Sequence, residues 1–180
     1  MARRAPLPIE VDARAHPPLG MAPEVFLRDY WQKRPLLIRN AFSDFVSPIT
    51  PEDLAGLACE DGALSRIVMH ETGASGMLDQ WLLRHGPFPE ELFPGLPQQD
   101  WTLLVQDVDK WDADVAALLP AFAFLPRWRI DDVMVSFAAP GGSVGAHVDQ
   151  YDVFLLQGLG RRRWQIDVDP DAPRDFRDDV

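Results

Sequence analysis

Two residues with metal-binding side chains, His147 and Asp149, stand two positions apart among strand-forming residues and constrain the fold of this 180-residue chain more than any other feature. On an extended strand, residues i and i+2 project from the same face, with Cα atoms roughly 6.5–7 Å apart. An imidazole and a carboxylate at that separation can bind one ion. Two histidines and one carboxylate are typical of Fe(II) sites with open positions, but no histidine follows Asp149. The pair predicts a metal site on a strand, although a His-x-Asp pair alone is most often structural or superficial.

The residues after this pair predict a β-hairpin. Two alternating runs, residues 152–156 and 162–166, flank the glycine-containing loop 158–160. Pairing about the centre of the loop would place Arg162 on the face that contains Asp152, whereas the two neighbouring arginines take the opposite face. A guanidinium on an apolar face requires an anion, and its planar fork fits a carboxylate. The anion is either Asp152 or a bound ligand.

A longer segment around these residues resembles a known family. Residues 131–164, DDVMVSFAAPGGSVGAHVDQYDVFLLQGLGRRRW, resemble the JmjC-type ribosomal oxygenases, which are Fe(II)- and 2-oxoglutarate-dependent hydroxylases of the cupin superfamily. The segment YWQKRPLLIRNAF, residues 30–42, supports the resemblance. The similarity is greatest to the bacterial hydroxylases that modify an arginine of a large-subunit ribosomal protein.

The resemblance implies roles for five residues. His147 and Asp149 correspond to the first two iron ligands, and Arg162 corresponds to the residue that anchors the distal carboxylate of 2-oxoglutarate. No catalytic residue is expected beyond the metal site. Tyr151 and Asp152, directly after the ligands, are candidates for substrate contact, since a carboxylate can pair with an arginine. The alternative is that Asp152 neutralises Arg162 across the hairpin.

The chain departs from the family pattern at two positions. The third iron ligand of the family, a histidine in a Pro-x-x-x-His type segment, lies beyond the last residue of this chain. Ala138 stands where the family is expected to have a small hydroxyl residue that contacts the co-substrate. The loop between Ala138 and His147 contains Gly141, Gly142 and Gly145, which would allow a close approach to a metal-bound ligand.

The implied fold is α+β: a double-stranded β-helix (cupin or jelly-roll, JmjC-like) barrel with N-terminal helices. A barrel of this type has eight core strands, so we expect it to be incomplete in this chain. Residues 1–20 are rich in proline, alanine and arginine and predict a flexible arm. Residues 21–180 are expected to be the N-terminal portion of a JmjC/cupin domain.

The implied function is an Fe(II)/2-oxoglutarate-dependent protein hydroxylase that acts on a ribosomal protein side chain, with arginine as the expected residue. An alternative of another class is a non-catalytic cupin-like binding module that lacks a complete metal site. A metal cupin of isomerase or dioxygenase type that does not use 2-oxoglutarate is less favoured, because it gives no reason for an inward Arg162.

Composition limits the possible partners and the cellular location. A net charge of −11 disfavours direct binding of nucleic acid and favours a basic protein, such as a ribosomal protein substrate, although the acidity could simply keep the protein in solution. No apolar run approaches the roughly 20 residues of a membrane helix. One cysteine, Cys59, excludes an internal disulfide and is compatible with the cytoplasm, where we expect the protein. A homodimer would form through helices that the family has beyond Val180.

Local patterns predict the remaining elements. A helix should begin near Pro23, and a second helix should follow Thr50, whose position before an acid at the third helical residue predicts a capping box. Residues 108–119 have the apolar spacing of a further helix. Residues 77–84 predict a strand or a short helix, and other strands are predicted at residues 36–38, 65–69, 101–107 and 132–137.

Overall fold

The computed structural model describes residues 9–71 and 80–167. The described residues divide into two compact units, of which the first contains residues 9–47 and 149–164 and the second contains residues 48–71, 80–148 and 165–167. The strands are β1 (Glu10–Asp12), β2 (Leu37–Arg39), β3 (Ser65–Glu71), β4 (Gln80–His85), β5 (Trp101–Val105) and β6 (Val135–Ala138). The α-helices are α1 (Pro23–Asp29), α2 (Pro51–Leu57) and α3 (Ala113–Ala116), and short 3₁₀ helices span Glu90–Gly95, Val108–Lys110, Leu119–Phe122 and Arg127–Arg129.

The first unit is built on α1 and a cluster of aromatic rings. Pro23 occupies the first turn of α1, as predicted, and Phe26 and Tyr30 are buried. The ring of Phe154 packs against this face: its centroid lies 6.0 Å from that of Phe26 and 5.6 Å from that of Trp31. The helix therefore fixes the position of the segment that contains Phe154.

Part of the predicted flexible arm is packed. β1 pairs with β2 in parallel, and the flanking backbone bonds Leu37 N to Ile9 O and Ala13 N to Arg39 O extend the pairing. Ala13 and Leu19 are buried. The prediction of an arm is therefore wrong for residues 9–20, because a segment too short to show periodicity satisfies the backbone groups of β2. Residues 1–8 lie outside the described residues.

The second unit is built on a four-stranded antiparallel sheet with the order β4-β3-β5-β6. Ile67 of β3 pairs with Leu103 of β5, which pairs in turn with Phe137 of β6. These side chains share one face of the sheet, and this face forms the hydrophobic core with α2 and the following short helices. Fully or almost fully buried members of this core are Leu54, Ala58, Ile67, Leu103, Val105, Val108 and Val115.

The structure confirms the capping box of α2 but divides the helix predicted over residues 108–119. The Thr50 hydroxyl accepts a hydrogen bond from Asp53 N at 3.1 Å, and Thr50 N donates to the Asp53 carboxylate at 3.3 Å. Further along, the Asp112 carboxylate accepts from the backbone N–H groups of Asp114 and Val115. A new helix therefore begins at this cap instead of continuing from residue 108. No helix in the described ranges has the length and apolar character needed to cross a bilayer.

The hairpin predicted over residues 152–166 is not formed. Residues 152–167 contain no strand, and the alternating apolar side chains of Val153, Leu155 and Ile166 are more than half exposed. A two-stranded hairpin is only marginally stable in water unless a further strand or a helix covers its apolar face. Within the part of the chain that the structure describes, no third strand pairs with this segment, so the alternation alone does not produce a β-ladder.

Candidate metal and co-substrate site

The glycine loop that follows β6 is attached to β5. Asp100 N donates to Pro140 O at 2.9 Å, and Gly142 N donates to Ala139 O at 2.8 Å, which closes a turn. A Cβ atom at Gly142 would lie 2.1 Å from the carbonyl oxygen of Trp101, a distance that no side chain tolerates. The absence of a side chain at Gly142 is therefore required by the close approach of the loop to β5. The sequence predicts that the glycines admit a bound ligand, whereas at Gly142 the close neighbour is the backbone of Trp101.

His147 is exposed in the second unit, at the far end of this loop. Its Nδ1 atom lies 3.1 Å from the carbonyl oxygen of Gly145. Because a carbonyl can only accept, the hydrogen bond requires the proton on Nδ1, and the neutral ring then carries its lone pair on Nε2. Metal-binding histidines are commonly oriented in this way by a backbone carbonyl. The geometry of His147 therefore fits a ligand that binds through Nε2.

Asp149, Tyr151 and Asp152 belong to the first unit and are all exposed. The Asp152 carboxylate accepts a hydrogen bond from Nε2 of Gln32, at 2.9 Å. Gln32 follows α1 and has a positive φ of 56°. Sequence reasoning missed Gln32, because nothing in the local sequence relates residues that are 120 positions apart. The carboxylate proposed for substrate contact is thus held by a neutral amide.

Arg162 is less exposed than its two neighbours, as the sequence predicted, but it does not lie on a β-hairpin. Its side chain is partly buried, whereas Arg161 and Arg163 are exposed. The guanidinium carbon lies 5.6 Å from the centroid of the Trp164 ring, within the range of a cation–π interaction. Without the hairpin, Arg162 lies against an aromatic ring and not on the apolar face of a ladder.

Two other potentially reactive side chains, His70 and Cys59, are held by contacts within the second unit. His70 stacks on Trp81 with ring centroids 4.3 Å apart. The Cys59 thiol donates to Ala55 O at 3.3 Å, and its burial, with a contribution from Glu90 and neighbouring acids, raises its pKa. A raised pKa keeps the thiol protonated at neutral pH, so Cys59 is a poor nucleophile.

The donor set fits part of an iron site. An imidazole and a carboxylate from His147 and Asp149 are the donor types of the 2-His-1-carboxylate arrangement. Across residues 9–71 and 80–167, no three histidine, cysteine, aspartate or glutamate side chains come together in a way that could hold an ion. The described residues therefore contain two candidate donors, His147 in the second unit and Asp149 in the first, and no cluster of three.

Comparison with known proteins extends the similarity over most of the chain. Residues 117–180 match the JmjC domain family. The chain is 50% identical over 141 residues to the ribosomal protein uL16 3-hydroxylase of Escherichia coli strain K12, covering 78% of this chain and 36% of that protein. It is 42% identical over 160 residues to a probable ribosomal oxygenase of Haemophilus influenzae, covering 89% of this chain and 38% of the relative. The chain thus spans little more than a third of the length of these relatives.

Solved structures give the same result for the fold. The structure of YcfD, a ribosomal oxygenase from Escherichia coli, matches with a TM-score of 0.67 and 46% identity, covering 74% of this chain and 35% of that chain. Structures of the same oxygenase in complex with cobalt and 2-oxoglutarate, and with cobalt and succinic acid, match equally well. The likeness confirms the predicted α+β, JmjC-like cupin fold, of which the antiparallel sheet of the second unit is a part.

Proposed function

We propose that the protein is an Fe(II)- and 2-oxoglutarate-dependent hydroxylase, because 78% of the chain aligns with a ribosomal protein hydroxylase at 50% identity and residues 117–180 match the JmjC domain family. Its substrate would be a ribosomal protein side chain, with arginine as the residue. The observation that carries the proposal is the orientation of His147, whose Nδ1 is held by Gly145 O so that Nε2 is the donor. The complex of YcfD with cobalt and 2-oxoglutarate supports the choice of metal and co-substrate.

In this proposal His147 and Asp149 hold the iron, and Arg162 binds the distal carboxylate of 2-oxoglutarate. The iron, when bound, supplies the oxidising chemistry together with oxygen and the co-substrate. The guanidinium of Arg162 has the fork geometry that a carboxylate requires. Its partial burial strengthens such a pair relative to a fully solvated one, since screening by water is weaker there.

The proposed partner is a basic ribosomal protein in the cytoplasm. The net charge of −11 gives a surface that attracts a cationic substrate and repels nucleic acid phosphates. Tyr151 and Asp152 follow the proposed ligands directly and are exposed, so both can be reached by a protein side chain. Their position supports the substrate-contact role that we assign to them.

A non-catalytic binding module is the second candidate function. It is favoured by one observation: no three-donor cluster exists in the described parts of the chain. Such a module would keep the acidic surface for a basic partner but would bind metal only loosely, because two protein ligands leave most of the coordination sphere to water.

Titration with Co(II), an oxygen-stable substitute for Fe(II), separates the two functions. We expect 2-oxoglutarate to tighten Co(II) binding by the protein, because the co-substrate and the metal share one site. Incubation of ribosomal protein uL16 with the protein, Fe(II) and 2-oxoglutarate should add the mass of one oxygen atom to uL16. Metal binding that is indifferent to 2-oxoglutarate, with unmodified uL16, would instead support the binding module.

Substitution of Asp152 with asparagine tests substrate contact. Asparagine keeps the shape and can still accept the hydrogen bond from Gln32, but it removes the charge that would pair with a basic side chain. We expect the Michaelis constant for a basic substrate peptide to rise about tenfold, as loss of a charge-assisted hydrogen bond predicts, while the affinity for 2-oxoglutarate stays unchanged.

Asp131→Asn provides the control for Asp152→Asn, because Asp131 is also exposed and has no proposed role. Asp131→Asn should change neither the Michaelis constant for the peptide nor the affinity for 2-oxoglutarate. If Asp152→Asn lowers the affinity for 2-oxoglutarate and spares the peptide, the carboxylate neutralises Arg162 and the substrate role is wrong.

A further inference from the structure

Trp81, on β4, lies against the loop that leads to His147. A Cβ atom built at Gly145 would lie 3.5 Å from both Cζ2 and Cη2 of Trp81, so the six-membered ring of the indole faces Gly145 across a gap that one methyl group would fill. Gly145 has a φ of +80°, a conformation that other residues rarely adopt. The indole therefore lies beside a loop residue with a left-handed backbone conformation that favours glycine.

The indole is itself fixed by the neighbouring strand. His70 of β3 is the register partner of Trp81, and their rings stack with centroids 4.3 Å apart and an interplanar angle of 24°. His70 N also donates to Asp100 O at 2.9 Å, which ties this end of β3 to the residue that precedes β5. A ring stacked in this way has little rotational freedom, so it can act as a rigid support.

We propose that Trp81 is a positioning residue for the metal ligand His147. The indole supports Gly145, the carbonyl of Gly145 accepts the Nδ1 proton of His147, and this hydrogen bond leaves the lone pair on Nε2, the atom that would bind a metal. The inference rests on the proposed metal role of His147. It adds to that role a stacked pair of aromatic residues, Trp81 and His70, that would act on His147 through the loop.

The tautomer of His147 is a test that needs no metal. Nitrogen NMR of histidine-labelled protein, at a pH where the rings are neutral, distinguishes Nδ1–H from Nε2–H, and His147→Gln identifies the signal among the four histidines of the chain. We expect the Nδ1–H form in the unsubstituted protein. Trp81→Phe removes the part of the indole that faces Gly145 but keeps an aromatic ring on β4, and it should shift His147 towards the Nε2–H form that free histidine favours.

Trp101→Phe is the matched control, since Trp101 is a tryptophan of β5 in the same sheet whose ring packs against Phe137. It should leave the tautomer of His147 unchanged. Gly145→Ala is a second variant that perturbs the carbonyl without altering the sheet, and it should shift the tautomer as Trp81→Phe does. An unchanged tautomer in Trp81→Phe, or an equal shift in Trp101→Phe, would overturn the proposal.

Metal affinity gives the second measurement. Loss of a group that orients a ligand costs roughly 10- to 100-fold in metal affinity, so Co(II) should bind about tenfold more weakly to Trp81→Phe and equally well to Trp101→Phe. If the tautomer shifts as expected but Co(II) binds to no form of the protein, the positioning contact stands and the proposed metal function fails. Equal Co(II) affinity in Trp81→Phe and the unsubstituted protein would overturn the positioning role.

Discussion

Replacing His147 with alanine should lower the proposed hydroxylation of a ribosomal protein by on the order of 10³-fold or more, because the proposed iron site would lose one protein donor and several kcal/mol of stabilisation of the reacting groups. The imidazole is exposed and contacts the carbonyl of Gly145, which water can solvate in its absence. The fold should therefore remain intact, as circular dichroism would verify. Co(II) binding should fall in parallel with activity.

His85→Ala is the control for this substitution. His85 is an exposed histidine at the end of β4 and has no proposed role. Its removal should change neither Co(II) binding nor activity, which excludes a general effect of losing an imidazole. Full hydroxylation by His147→Ala would mean that the metal is held elsewhere, and the assignment of both His147 and Asp149 would be wrong.

Elements fixed by residues close in sequence were predicted well. The capping box of α2 needs only Thr50 and Asp53, which are three positions apart, and the start of α1 needs only Pro23 and the aromatic face that follows. Strands of the sheet were also found, because their apolar residues are buried on the core side by α2. In these cases the local pattern and the tertiary contacts favour the same structure.

The prediction of a hairpin was wrong because alternation of apolar and polar residues is not sufficient to form a strand. Period-2 spacing states which side chains would share a face, but a ladder forms only where another strand supplies backbone partners and a core covers the apolar side. Val153 and Leu155 have neither in the described residues and are more than half exposed. By contrast, Phe154 is partly buried, since Phe26 and Trp31 of the first unit cover it.

The residues that support the candidate site could not be found from the sequence. The Gln32 side chain donates a hydrogen bond to Asp152, 120 positions away, and the Trp81 ring faces Gly145, 64 positions away. Gln32 lies in the segment of residues 30–42 that supports the family resemblance, but nothing in that segment relates it to Asp152, and a tryptophan on a strand, such as Trp81, is common. The ligand pair itself was visible because two metal-binding residue types stand at a spacing that a strand places on one face.

Substitution of Arg162 with methionine should raise the Michaelis constant for 2-oxoglutarate by roughly 10- to 100-fold, because a hydrogen bond to a charged group contributes about 1.5–3 kcal/mol. Methionine keeps an unbranched stem that can still pack on Trp164 but removes the guanidinium that would bind the distal carboxylate. The turnover number at saturating 2-oxoglutarate should change much less, since the role proposed for the guanidinium is to bind the co-substrate and not to take part in the oxidation. Steady-state measurement of both constants tests this separation.

The neighbours of Arg162 supply controls within the same run of three arginines. Arg161 and Arg163 are exposed, so Arg161→Met and Arg163→Met remove the same charge and leave the partly buried guanidinium in place. If the arginines only attracted the dianionic co-substrate through their charge, all three variants would raise the Michaelis constant for 2-oxoglutarate by the same small factor, and the increase would disappear at high salt. A large increase in the Michaelis constant for 2-oxoglutarate that occurs only in Arg162→Met and persists at high salt would identify Arg162 as the residue that binds the distal carboxylate. If Arg162→Met shows no such increase, Arg162 does not bind 2-oxoglutarate.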